Sequence, residues 1–164
     1  MLKKTVLAAL NEQVNAELHS AYIYLGMSGW CEHRNLPGFA AWMRKQFEEE
    51  QAHALKIFDY VHDQGGTVTL KAIAQPAASY KSLQAVWEAT LAHEQHVTSL
   101  IHKLYALAQK EQDFATQALM QWYVTEQVEE EKNASAVLEQ VKMVGTNSSA
   151  VFFLDRHVMK SRGE

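Results

Sequence analysis

The stretch Glu48-Glu49-Glu50-Gln51-Ala52-His53 sets a carboxylate and an imidazole, Glu50 and His53, one helical turn apart. Residues at i and i+3 stand one above the other on a helix face, so these two side chains can grip one ion without bending the backbone. The surrounding apolar stripe is Phe39, Met43, Phe47, Ala54, Ile57 and Val61, and Glu50 fills the place between Phe47 and Ala54. A charge therefore occupies a core slot. A buried carboxylate without a partner takes up a proton rather than stay ionised, so the position asks for a proton, a cationic side chain or a metal.

Three further segments repeat the pattern. The stripe Leu7, Leu10, Val14, Glu17, Ala21, Tyr24 carries Glu17. The nearly strict heptad Leu83, Trp87, Thr90, Glu94, Val97, Ile101, Leu104, Ala108 carries Glu94. The stripe Thr116, Leu119, Tyr123, Gln127, Glu130, Ala134, Val137, Val141 carries Glu130. No strand periodicity competes with these helices, and the chain is expected to be all-α.

The helices are delimited by the usual breakers. The first is expected from about Thr5 to His33, stopping at Asn35-Leu36-Pro37-Gly38. Pro37 suits the first turn of the second, which continues to about Gln64 before Gly65-Gly66. A polar stretch from Thr67 to Tyr80 follows, too long for a tight turn, so the second and third helices can run parallel. Ser82 caps the third helix, which ends near Glu111, and the fourth closes at Gly145. Ser148 to Ser161 can form a short fifth helix. The expected organisation is one domain over residues 1–164, a four-helix bundle over about 5–144 with a long crossover and a short C-terminal helix over about 148–161. Each long helix, at about 29 residues, would span roughly 44 Å. Their midpoints fall near residues 19, 51, 96 and 128, so every long helix places a carboxylate at mid-height.

Four acidic groups at one level cannot be neutralised by His53 alone, and no Lys or Arg lies in the four stripes there. Like charges at this range raise one another's pKa, and unpaired buried ions cost several kcal/mol each. Two divalent cations remove the difficulty. An oxygen-rich set with one nitrogen suits iron or manganese, whereas a closed structural zinc site favours cysteine and histidine. Iron is the expected ion.

Composition narrows the classes. The 164 residues suffice for a core that hides roughly 70% of the surface the unfolded chain exposes. A single cysteine, Cys31, excludes an internal disulfide framework and reads as a small buried hydrophobe beside Trp30. Met1-Leu2-Lys3-Lys4 leads into an amphipathic helix without an apolar export core, so a cytoplasmic location is expected. No apolar run approaches the roughly 20 residues of a membrane span. A formal charge of −4 argues against nucleic-acid binding.

The chain resembles the non-haem bacterial ferritins over essentially its whole length. The resemblance rests on Asn11-Glu12-Gln13 with Glu17 and Tyr24, on Glu49-Glu50 with His53, on Glu94, and on the run from Gln121 to Glu131, Gln-Trp-Tyr-Val-Thr-Glu-Gln-Val-Glu-Glu-Glu. It implies that Glu17, Glu50 and His53 hold one iron, that Glu50, Glu94 and Glu130 hold a second, and that Glu50 bridges. It also implies a third iron site at Glu49, Glu126 and Glu129, and Gln127 is counted with the metal-facing set. Tyr24, two turns beyond Glu17, is either core or an electron donor near the irons, and Trp122 is similar. The spacing of Glu126, Glu129 and Glu130 supports the third site independently, although a solvated acidic face would look the same. Glu48 and Glu131 are expected to face solvent.

General di-iron proteins carry Glu-x-x-His on two helices. Here the fourth helix offers Gln127, Val128, Glu129 and Glu130, without a second histidine. Gln51 stands where bacterioferritins would place a haem-ligating methionine, so haem is not expected. The remaining histidines, His19, His33, His62, His93, His96, His102 and His157, lack an acidic set like that of His53 and are read as surface or interface residues. The resemblance implies a ferroxidase that oxidises Fe(II) with dioxygen and stores the mineral in a 24-subunit shell, with Phe152, Phe153 and Leu154 exposed on a monomer. A soluble di-iron oxidoreductase or peroxidase would need the second Glu-x-x-His or an electron-transfer module. A DNA-shielding mini-ferritin would need a basic tail.

Overall fold

The structure, a computed structural model, describes residues 2–162, with side chains described through residue 160. Helix α1 runs Lys4–His33, α2 Pro37–Asp63, α3 Leu83–Lys110, α4 Phe114–Val144 and α5 Ser148–His157, and a 3-10 turn follows over Val158–Arg162. The fifth helix expected to Ser161 thus changes winding after His157, and the Ser161 side chain lies outside the described residues.

Each boundary has a local cause. Ser82, Asp113 and Asn147 accept from the amides of Ala85, Thr116 and Ala150 at 3.0–3.1 Å, capping α3, α4 and α5. The α1–α2 corner turns through Asn35 at φ 56°, the left-handed region that Asn tolerates. Leu36 offers α2 no side-chain cap, although Pro37 fits its first turn. The missing cap comes from far along the chain: Asp155 Oδ1, on α5, accepts from the Phe39 amide at 2.9 Å. Asp155 is buried there, and a Cβ on Gly38 would sit 1.7 Å from the Asp155 carbonyl oxygen. Glycine at 38 is what lets α5 reach the helix end.

Helices α1 and α2 form one antiparallel pair and α3 and α4 the other. Across the pairs, α1 meets α3 through Tyr24–Glu94 and Ser20–His93, while α2 meets α4 through Gln46–Glu130, His53–Tyr123 and Tyr60–Thr116. No Cα of α2 comes within 8 Å of one on α4, so that junction is made by long side chains. The connector runs along α1. Asn11 and Asn15 each pair their side-chain amide with its backbone: their Oδ1 atoms accept from Thr69 and Lys71, and their Nδ2 groups donate to Thr67 and Thr69. Two side chains one turn apart so hold alternate residues of the connector, which has no secondary structure of its own. The crossover reaches Pro76 against Gly26, and α3 then starts at the far end, parallel to α2.

Two apolar clusters fill the bundle. One contains Tyr24, Met27, Trp42, Met43, Trp87 and Val137 near α5, and the other contains Leu10, Val14, Ile57, Ile101, Met120 and Tyr123. The stripes slip by one residue at three places. Val6, Gln46 and Met120 are buried where Leu7, Phe47 and Leu119 were expected, and those three are only partly buried. Cys31 is fully buried, and burial pushes its thiol up to about 12. Phe152 and Phe153 are exposed as expected, but Leu154 packs against the core near Val158. No helix among the described residues is long and apolar enough to cross a membrane.

Candidate metal centre

Between the two apolar clusters lies a polar layer to which all four long helices contribute. Glu17, Glu50, His53, Glu94, Gln127 and Glu130 are each at most 6% exposed, and no Lys or Arg is buried among the described residues. Each carboxylate is presented because its helix turns an apolar stripe inward and the acid replaces one member of that stripe.

On the α1–α2 side, one ligand atom from each of Glu17, Glu50 and His53 lies within 4.8 Å of the others. Glu17 Oε1 accepts from Gln13 Nε2 at 2.9 Å, while buried Oε2 has no hydrogen-bond donor. Glu17 and Glu50 interact as carboxyls, which is favourable only with a proton or cation between them. His53 Nδ1 stands 3.6 Å from Glu50 Oε2. Burial first, and then the facing Glu50, holds the Glu17 carboxyl well above its usual range; burial, Glu94 and Glu130 do the same to Glu50. An orphaned buried oxygen, two carboxyls that resist ionising together and an imidazole nitrogen are a donor set that a divalent cation satisfies.

The α3–α4 side is organised differently. Glu94 Oε1 accepts from the Tyr24 hydroxyl, and Oε2 accepts from Gln127 Nε2 at 3.2 Å. Glu130 Oε2 accepts from Gln46 Nε2 at 2.8 Å. Burial raises the Glu94 carboxyl, and burial with the Glu94 charge pushes Glu130 up to about 8. Glu50, Glu94 and Glu130 are not gathered into a tight triad among the described residues. Gln127 spends its amide nitrogen on Glu94 and Thr98, leaving its amide oxygen as the atom able to face an ion.

Tyr24 is fully buried, and burial and Glu94 raise its phenol well above the ordinary value, keeping the hydroxyl protonated as a donor. Trp122 sits edge-on to His53, ring centres 5.4 Å apart, with Lys56 Nζ 3.6 Å over its ring.

The outer acidic residues divide. Glu126 is half-buried, its Oε1 4.0 Å from His53 Nε2, and it groups with His53 and Glu130 within 4.8 Å. Glu49 is half-buried and Glu129 exposed, and no tight triad joins them to Glu126 among the described residues. Glu48 is exposed as expected, whereas Glu131 is half-buried because it accepts from Thr98 Oγ1 at 2.5 Å.

Comparison with known proteins agrees with this architecture. The Ferritin family, described as the ferritin-like domain, matches residues 7–144. The chain belongs to the ferritin family. It is 36% identical over 158 residues to the bacterial non-heme ferritin of Escherichia coli O157:H7, covering 96% of each chain. It is 35% identical over 158 residues to that of Campylobacter jejuni, covering 96% of this chain and 95% of the relative. Among solved structures, an open pore ferritin from the hyperthermophilic archaeon Archaeoglobus fulgidus superposes with a TM-score of 0.95 at 42% identity, covering 96% of this chain and 97% of that one.

Several groups in the polar layer of this ferritin escape a reading of charged residues. Gln13 and Gln46 are buried donors to its carboxylates, and their signal is a glutamine four residues before Glu17 and before Glu50 on the same helix face. The Tyr123 hydroxyl donates to the His53 carbonyl at 2.7 Å, anchoring the turn of α2 that carries Glu50 and His53. His93, expected at the surface or an interface, instead packs edge-on against Tyr24 at 5.9 Å. Its Nε2 lies 2.8 Å from Ser20 Oγ, whose hydroxyl is also within reach of the Ala16 carbonyl. Burial, with His19 and His96 nearby, lowers His93 to about 4 and keeps it neutral.

Proposed function

We propose that this ferritin is an iron-storage ferroxidase. Each subunit binds two Fe(II) at a dinuclear site, dioxygen takes electrons from both, and the Fe(III) product passes into a mineral inside a 24-subunit shell. Glu17, Glu50 and His53 take the first iron; Glu50, Glu94 and Glu130 take the second, with Glu50 shared. The observation that carries this reading is the buried layer itself: four carboxyls held above their ordinary pKa, one with a donorless oxygen, around a single imidazole and without a buried Lys or Arg.

The chemistry follows from charge. Without metal, burial favours the protonated form of these carboxyls, with Glu130 pushed up to about 8; binding of a divalent ion displaces protons held there, and the ionised carboxylates then stabilise Fe(III) more than Fe(II). Tyr24 stands next to the second position as an electron donor whose proton already points at Glu94. Glu126, close to both His53 and Glu130, is the first group an iron meets on leaving the pair, and with Glu49 and Glu129 it forms a third, transient position. Storage needs a container, which one bundle is not. The exposed Phe152 and Phe153 on α5 are apolar surface that a shell would cover. The resemblance to bacterial non-heme ferritins supports a cytoplasmic location.

The reading is tested by adding two Fe(II) per subunit aerobically, following Fe(III) absorbance by stopped flow, and measuring particle mass. Fast oxidation by a particle of about 24 subunits is expected. A small oligomer, or oxidation no faster than iron in buffer, overturns it.

A further inference from the structure

Resting on the two-metal reading above, we infer that Gln46 is the positioning residue that makes the second metal position, by bridging α2 to α4 and fixing which oxygens of Glu50 and Glu130 are presented. Gln46 is fully buried in the polar layer. Its Nε2 donates to Glu50 Oε1 at 3.2 Å, four residues along the same helix, and to Glu130 Oε2 at 2.8 Å, across the bundle. One amide nitrogen has two protons, and here each points to a different carboxylate.

The placement matters because the α2 and α4 backbones do not approach within 8 Å at any Cα. The first position needs no help across that gap, since its three groups come from α1 and α2 and already converge. The second needs Glu50 from α2 together with Glu130 from α4. These two carboxyls repel when ionised, and Gln46 is the donor between them. By holding Glu50 Oε1, it turns Oε2 toward His53 and the first position; by holding Glu130 Oε2, it restrains that side chain beside Glu50. Each carboxylate oxygen has two lone-pair directions, so an N–H on one leaves the other for a metal. Without the amide, Glu130 can swing away and the second position loses its fixed geometry.

The test is anaerobic titration of the metal-free particle with Co(II), read by calorimetry and by the visible bands of the bound ion, for wild type, Gln46→Met and Gln46→Glu. Met keeps the length and removes the donors; Glu keeps the shape and replaces the donating nitrogen by an oxygen. Wild type is expected to bind two Co(II) per subunit in two steps. In both variants the second step should weaken by about 10- to 100-fold, as when a group that orients a ligand is removed, while the first changes less than about twofold and its bands stay unchanged. A variant that fails to assemble is set aside for the other. Equal weakening of both steps would mean a general packing role and overturn the inference, as would two unchanged steps. A wild type without two steps overturns the two-metal reading and this inference together.

Discussion

The two halves of the polar layer hold the same kinds of side chain and reach opposite states. On the α1–α2 side the ligand atoms already converge, and one buried oxygen of Glu17 has no donor. On the α3–α4 side the carboxylates are satisfied by organic donors: Tyr24 and Gln127 on Glu94, Gln46 on Glu130. A group that lacks partners gains most from a cation, whereas one already hydrogen-bonded gains less. On the two-metal reading proposed above, this unequal hydrogen bonding predicts a tight first position and an exchangeable second one.

The contrast is broken most directly at Glu50, which groups with Glu17 and His53 and also feels the charges of Glu94 and Glu130. Glu50→Ala is expected to slow rapid Fe(II) oxidation by more than about a hundredfold, beyond what loss of an orienting neighbour costs, with helical content by circular dichroism unchanged. A variant that oxidises iron at the wild-type rate would remove Glu50 from the site.

The next largest effect is on the metal-free protein and its pH dependence. Burial, with the Glu94 charge, pushes the Glu130 carboxyl from its ordinary value of about 4.5 up to about 8 in the folded protein. The folded state then binds the extra proton, so the stability it contributes is full below about pH 4.5 and is lost as pH rises through about 8. The melting temperature of the metal-free particle should fall between pH 5 and 8, and Glu130→Gln should flatten that fall. An identical slope in the variant would show that Glu130 does not hold its proton. Bound metal should reverse the trend, since it competes with protons.

Tyr24→Phe sharpens the comparison by making Glu94 resemble Glu17, with an oxygen lacking its donor. A cost of about 1–3 kcal/mol to the metal-free protein is expected from an unsatisfied buried acceptor, largely recovered when metal is bound. Chemical denaturation with and without Zn(II) checks it; a loss that metal does not recover would mean that Tyr24 is packing alone.

The smallest effect on the first turnover is expected from replacing Glu49, Glu126 and Glu129 together by Ala. Two metals per subunit and a fast first oxidation should remain, while later turnovers slow. Metal-soaked crystals of the parent without density beside Glu126 would reduce these residues to a solvated face.

Much of this was legible in the chain. Acids interrupting apolar stripes gave Glu17, Glu50, Glu94 and Glu130, and breakers with caps at Ser82, Pro37 and Gly145 gave the helices. What escaped is neutral or phase-dependent. With 3.6 residues per turn, adjacent positions can both border a stripe. Apolarity favoured Phe47 over Gln46, yet a layer of carboxylates needs a donor there more than another ring. Asp155 escaped for a different reason: its partner is a backbone amide of another helix, which no side-chain pattern announces.

That last contact joins residues 116 positions apart. A chain made from its N-terminus therefore carries an uncapped corner at Pro37 until nearly all of it has been synthesised, and α5 has no seat until the α1–α2 corner has formed. The final segment thus acts as a latch that checks the first. Gly38→Ala, which thrusts a methyl group at the Asp155 backbone, would leave that latch open in a chain otherwise complete.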